Sequence, residues 1–82
     1  MAKKKSNLFQ ITRTTDLHGL KIQDAYDKSK EFLDSSCGYN HKYVRVITGK
    51  SGEICREFPF WVETWRYSIV QSNIGNFIVK LS

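Results

Sequence analysis

Two short stretches of this chain carry residue types at spacings that suit reaction chemistry. The first is Asp16-Leu17-His18-Gly19. On an extended backbone, residues at i and i+2 point the same way, which sets Asp16 beside His18 and turns Leu17 toward the interior. A carboxylate next to an imidazole orients the ring, stabilises its protonated form, or joins it around a metal ion. An imidazole held in this way serves as a general acid or base near neutrality. The second stretch is Thr48-Gly49-Lys50-Ser51-Gly52. Its two glycines let backbone N–H groups turn toward an anion, Lys50 adds charge, and a helix starting just beyond adds its partly positive end. Those are the properties of a phosphate-binding loop. It is not a Walker A loop, because the position five before Gly49 is Val44 rather than glycine. Each stretch also has a plainer reading, a strand end for the first and a connecting turn for the second.

The surrounding periodicity predicts the elements that must position them. Residues 1–10 have no apolar period and form a basic arm; residues 11–82 form one domain. Ile11 to His18 alternate as a strand closed by Gly19. Ile22, Ala25, Tyr26, Ser29, Phe32, Leu33 and Cys37 recur at helical spacing, with Asp24 in the first turn, Gly38 as the stop and Lys21 as a poor N-cap. Lys42–Thr48 is the clearest strand. Ile54, Phe58, Trp61, Val62 and Trp65 make a second apolar stripe, which Pro59 is expected to interrupt so that a new helix starts there. Ser68–Ser72 and Phe77–Leu81 are strands joined by a turn at Asn73-Ile74-Gly75-Asn76.

The order β-α-β-α-β-β predicts a two-layer α/β sandwich with a four-stranded mixed sheet. Two right-handed crossovers between parallel neighbours put both helices on one face, and the last hairpin adds an antiparallel strand. Val44, Val46, Phe77 and Val79 fall to the covered face. Tyr43, Arg45, Ile47, Ile78 and Lys80 fall to the open one, which is either a surface for stacking bases and binding a phosphate backbone or simply half-solvated. Parallel neighbours align their carboxyl ends, the edge where α/β folds bind ligands. If the first two strands pair, His18 and Lys50 meet there.

At 82 residues, with 40% hydrophobic and 26% charged residues, the chain has room for one small domain. No apolar run approaches a membrane span, and no apolar stretch follows the basic start as in a signal peptide. A soluble cytoplasmic monomer is the expectation, with Cys37 and Cys55 as inert thiols, His41 on the surface, and Trp61 and Trp65 as packing residues. The net charge of +5 includes Lys3, Lys4 and Lys5. Charge is also segregated. The helical stretches 20–37 and 52–66 each carry one more acid than base, whereas everything else has eight Lys and Arg against one acid, Asp16. That distribution favours a nucleic-acid partner.

The sequence resembles the Smr (small MutS-related) domain family. Asp16-Leu17-His18-Gly19-Leu20 matches its aspartate-leucine-histidine-glycine motif and Thr48-Gly49-Lys50 its second motif, over roughly residues 14–82. The resemblance implies a fold similar to the C-terminal domain of bacterial translation initiation factor 3. It also implies an endonuclease that nicks DNA or cleaves RNA, in some members on ribosomes, and it implicates Asp16, His18, Gly49 and Lys50. This chain departs from the family pattern at Ser51 and at Lys21, and in the shortened turn Asn73–Asn76.

The resulting expectation is phosphodiester cleavage. Asp16, His18 and Lys50 act catalytically, while Thr48, Gly49, Ser51, Gly52 and Arg45 bind the substrate phosphate. With RNA, His18 deprotonates the 2′-hydroxyl and no metal is required. With DNA, Asp16 would hold a divalent ion, Mg or Mn, to activate water. The alternative is a non-catalytic module that binds nucleic acid or a ribosome.

Overall fold

Strand and helix alternate in the predicted order. Strand β1 (Ile11–Asp16) leads to helix α1 (Ile22–Gly38), strand β2 (Tyr43–Ile47), helix α2 (Glu53–Thr64) and the hairpin of β3 (Ser68–Asn73) and β4 (Asn76–Lys80). The computed structural model describes residues 9–81; the lysines of the expected basic arm, Lys3 to Lys5, lie outside the described residues. β1 ends at Asp16, so His18 stands just beyond the strand rather than on it.

The sheet order is β1-β2-β4-β3, with β1 and β2 parallel and the other two pairings antiparallel. This corrects one expectation. β2 and β3 run the same way, as a crossover demands, but β4 inserts between them, so they are not neighbours. Burial explains the choice. β4 buries Phe77, Ile78 and Val79 on both faces, as a central strand must. β3 is rich in Ser, Gln and Asn and carries a bulge between Ile69 and Gln71, which suits an edge.

Both helices cover the face bearing Val44, Val46, Phe77 and Val79, and their apolar stripes close one core around Leu33, Phe58 and Val62. Arg13 also falls on this side. It is accommodated because its Nη1 donates to Ser36 Oγ (2.9 Å) and Ser35 Oγ (3.2 Å) while its guanidinium lies over Phe32. Ser36 takes the buried position expected for Cys37, which is exposed. On the open face Ile78 is buried after all, flanked in register by Arg45 and Gln71.

The structure differs from the sequence reading at two helix features. α2 runs unbroken through Pro59. A proline in a helix interior costs about 3 kcal/mol, but breaking the helix there would split Phe58 from Val62, whose burial is worth about 1.5–3 kcal/mol each. Packing outweighs the missing N–H. α1 does end at Gly38 as expected, but the glycine is not the left-handed residue that closes it. The helix closes with Asn40 at φ 67°, whose N–H reaches Cys37 O while His41 N–H reaches Ser36 O. α2 ends the same way, with Arg66 at φ 68°, Arg66 N–H on Glu63 O and Tyr67 N–H on Val62 O. Both are Schellman closures with a non-glycine residue in the left-handed position.

Just after that turn the Tyr67 hydroxyl donates to Asp34 Oδ1 (2.7 Å), tying the start of β3 to α1. Burial, and then this bond, pushes the phenol above its ordinary range. His41, for which the sequence offered no partner, is half-buried with Nδ1 2.7 Å from Thr12 Oγ1. Trp61 and Trp65 pack with Tyr26 in an aromatic cluster on the helical layer, as expected of packing residues.

Candidate functional site

The parallel pairing of β1 and β2 brings their carboxyl ends together, Asp16 opposite Ile47. Leu17 N–H extends the pairing by one bond, to Ile47 O at 2.7 Å. Leu17 is thereby drawn into the core and His18 emerges beside Asp16. One carboxylate oxygen, Asp16 Oδ1, accepts both the backbone N–H of His18 (2.9 Å) and its ring Nδ1–H (2.8 Å). The spacing therefore brings the pair together as predicted, through a local turn beyond the strand end. The His18 ring bond, then the His18 backbone bond, hold the Asp16 carboxyl below the usual carboxylate range, with a smaller contribution from Lys28. Lys28 also donates to Asp16 O at 3.2 Å. With Nδ1–H directed at Asp16, Nε2 remains as the proton acceptor, and about two-thirds of the His18 side chain is open to solvent.

The loop after β2 is anchored from below. Thr48 N–H and Gly49 N–H both donate to Gly75 O, at 2.9 and 3.1 Å. Thr48 Oγ1 donates to Gly49 O at 3.1 Å, and Thr48 is buried. Thr48 thus builds the loop, and the first two amides of the expected anion cradle are already engaged. Those of Lys50, Ser51 and Gly52 have no acceptor among the described residues. Gly52, at φ 105°, is the N-cap of α2 and offers no side-chain cap. Gly49, at φ 89°, packs against the first motif: a Cβ built on it would lie 3.4 Å from His18 Cβ.

His18, Gly49, Ser51 and Gly52 line one cleft of about 280 Å³ between the two loops. Lys50 and Arg45 do not line it. Lys50 is exposed on the hairpin side of the loop, its Cγ 3.8 Å from where Gly75 would carry a Cβ. Arg45 projects from the open sheet face, paired with Thr14 and Ile78. Among the described residues, no three His, Cys, Asp or Glu side chains group so as to hold a metal ion. Asp16, the expected contact for a divalent ion, already has Oδ1 engaged twice.

Several contributors were not foreseen. Glu53, an exposed acid in the first turn of α2, lines the cleft, and Leu20, Ile22 and Ile54 make part of the lining apolar. Leu20 lies within the first motif, and Glu53 directly follows the loop, so proximity in sequence was the available signal for both. Gly75, 26 residues beyond Gly49, gave none.

A family profile described as Smr domain matches residues 15–80. Three solved structures share the fold. The crystal structure of the human small-MutS related domain aligns with TM-score 0.72 at 20% identity, covering 82% of this chain and 98% of that one. The solution structure of the SMR domain of NEDD4-binding protein 2 gives 0.71 at 20% identity, covering 95% and 94%. That of the B3BP Smr domain gives 0.70 at 21%, covering 84% and 77%. The comparison with curated proteins yields no match. The profile spans both motif loops and every element from the end of β1 to β4, and on that ground the chain belongs to the Smr domain family, whose members bind nucleic acids or partner proteins and include nucleases.

Proposed function

We propose that this chain is an endonuclease that cleaves single-stranded RNA by attack of the substrate's own 2′-hydroxyl. The observation that carries the reading is the Asp16–His18 pair, with Nδ1 2.8 Å from the carboxylate and Nε2 left for a proton. Nε2 takes the proton from the 2′-hydroxyl. The O2′ so freed attacks the adjacent phosphorus, and the bond from phosphorus to O5′ breaks. A 2′,3′-cyclic phosphate remains on one fragment, and the leaving oxygen takes a proton from water to become a 5′-hydroxyl. Asp16 orients the imidazole and stabilises its charged form. The free amides of Ser51 and Gly52, which line the cleft, stabilise the charge that builds on the phosphoryl oxygens, while Lys50, outside the cleft, adds only longer-range positive charge. The proposed setting is cytoplasmic, on free or ribosome-bound RNA.

Cleavage should continue in EDTA and stop when the nucleotide at the scission site is 2′-deoxy. His18→Ala should lower the rate by about 10²–10⁴ while oligonucleotide binding persists. A second reading has one observation in its favour: Glu53 on the cleft wall repels a phosphate, which suits a module that binds nucleic acid through other surfaces and does not cleave it. Purified wild type and His18→Ala with equal, near-background cleavage would select that reading.

A further inference from the structure

The sheet face opposite the helices is uncovered, and its residues follow from the register. Across the middle run Thr14, Arg45, Ile78 and Gln71; toward the cleft, Asp16, Ile47, Asn76 and Asn73; at the far end, Tyr43, Lys80 and Ser68. Its charges are Arg45, Lys80 and, at the cleft end, Asp16 bound to His18. The other seven acids of the chain lie on the helices, on the opposite side of the sheet. At the far end Phe9 packs against Tyr43 with ring centroids 4.9 Å apart, and Lys42 Nζ stands 5.6 Å from the Tyr43 ring. From Tyr43 to Ile47 the path is about 13 Å long. It ends where β1 and β2 give way to His18 and Gly49.

We propose that this face is the track for the substrate strand: single-stranded RNA lies across it from the Phe9–Tyr43 ledge, past Arg45 and Lys80, to the His18 cleft. A single strand fits the chemistry. Unpaired bases stack on aromatic rings, and basic side chains follow the backbone without reading sequence. The uncharged Thr14, Gln71, Asn73 and Asn76 offer hydrogen bonds along the way. The helical layer, with its acids, repels the same polymer. The proposal rests on the endonuclease reading of the cleft, but places the binding energy away from it.

The test is a titration of the full ¹⁵N-labelled chain with a 2′-O-methyl decauridylate, which cannot be cleaved by 2′-hydroxyl attack. The expected result is amide shifts at Thr14, Tyr43, Arg45, Gln71, Ile78 and Lys80 together with His18 and Gly49. Shifts confined to residues 18–20 and 48–54 overturn the track and leave the cleft reading standing. Shifts on the sheet face without any at His18 keep the track and overturn the cleft reading. No shifts anywhere contradict both. In the double variant Arg45→Gln/Lys80→Gln, affinity should fall roughly tenfold at low salt, and the log–log salt slope should become shallower by about 1.4. An unchanged slope in a folded double variant also overturns the track.

Discussion

The two loops at the carboxyl edge of the sheet look alike in sequence, each with a glycine next to a residue that can do chemistry, yet the structure uses them in opposite ways. After β1 the working part is a side chain. Asp16 Oδ1 grips His18 twice, by backbone and by ring, and the imidazole is presented to solvent. After β2 the working part is the backbone. Thr48 is buried, its amide and that of Gly49 hang from the Gly75 carbonyl, and the three amides that follow have no acceptor among the described residues. One loop exposes an imidazole nitrogen, the other a run of backbone amides. Gly49 is where they meet, its left-handed φ of 89° bringing the loop backbone to within van der Waals reach of His18 Cβ.

Removing the side chain from the first loop should have the largest effect, the loss of about 10²–10⁴ in cleavage rate for His18→Ala. Gly49→Ala attacks the junction. The left-handed φ of 89° costs an alanine about 1–2 kcal/mol of stability, and the new methyl would sit in van der Waals contact with His18, 3.4 Å from its Cβ, so that any relaxation of the strained loop is passed to the ring. Thermal melts should report the first effect. Single-turnover cleavage should fall by up to about a hundredfold from the second, because misplacing a reacting group by an ångström has that scale of effect. A Gly49→Ala chain with full activity would mean that the loops do not position one another.

The second loop can be improved rather than damaged. Glu53→Gln removes the carboxylate from the cleft wall and should tighten oligonucleotide binding about two- to fivefold at low salt, an effect that fades as salt rises. Anisotropy titrations at two salt concentrations check it. The smallest effect concerns pH. Because the folded state holds the Asp16 carboxyl below its ordinary value of 3.8, the stability linked to it is fully present above the unfolded value. It is lost as pH falls through the lowered folded value. Urea unfolding between about pH 2 and 5 should show a steeper loss in wild type than in Asp16→Asn.

The same contrast explains what the sequence disclosed. A pair two residues apart at a strand end is local, so Asp16 and His18 were legible from spacing alone. Parallel pairing of β1 and β2 followed from the crossover, and it carried Gly49 to His18. The Gly75 carbonyl was not legible, because it reaches Thr48 only once β4 has inserted beside β2. That insertion depends on the two-sided burial of Phe77, Ile78 and Val79 rather than on any crossover rule. Pro59 misled for a related reason: its missing N–H is a local property, whereas the stripe of Ile54, Phe58 and Val62 that keeps α2 whole is a tertiary one. Arg45 was assigned to the phosphate site on charge, but strand alternation sets it on the open face, short of the cleft.

The central claim is that His18 takes a proton from the substrate's own 2′-hydroxyl. Mass spectrometry of the fragments from a short single-stranded RNA, cleaved by the purified chain in EDTA, tests it directly. A 2′,3′-cyclic phosphate on one fragment and a 5′-hydroxyl on the other, both absent with His18→Ala, are the predicted products. A 5′-phosphate with a free 3′-hydroxyl would mean that water attacked instead, and would contradict the account.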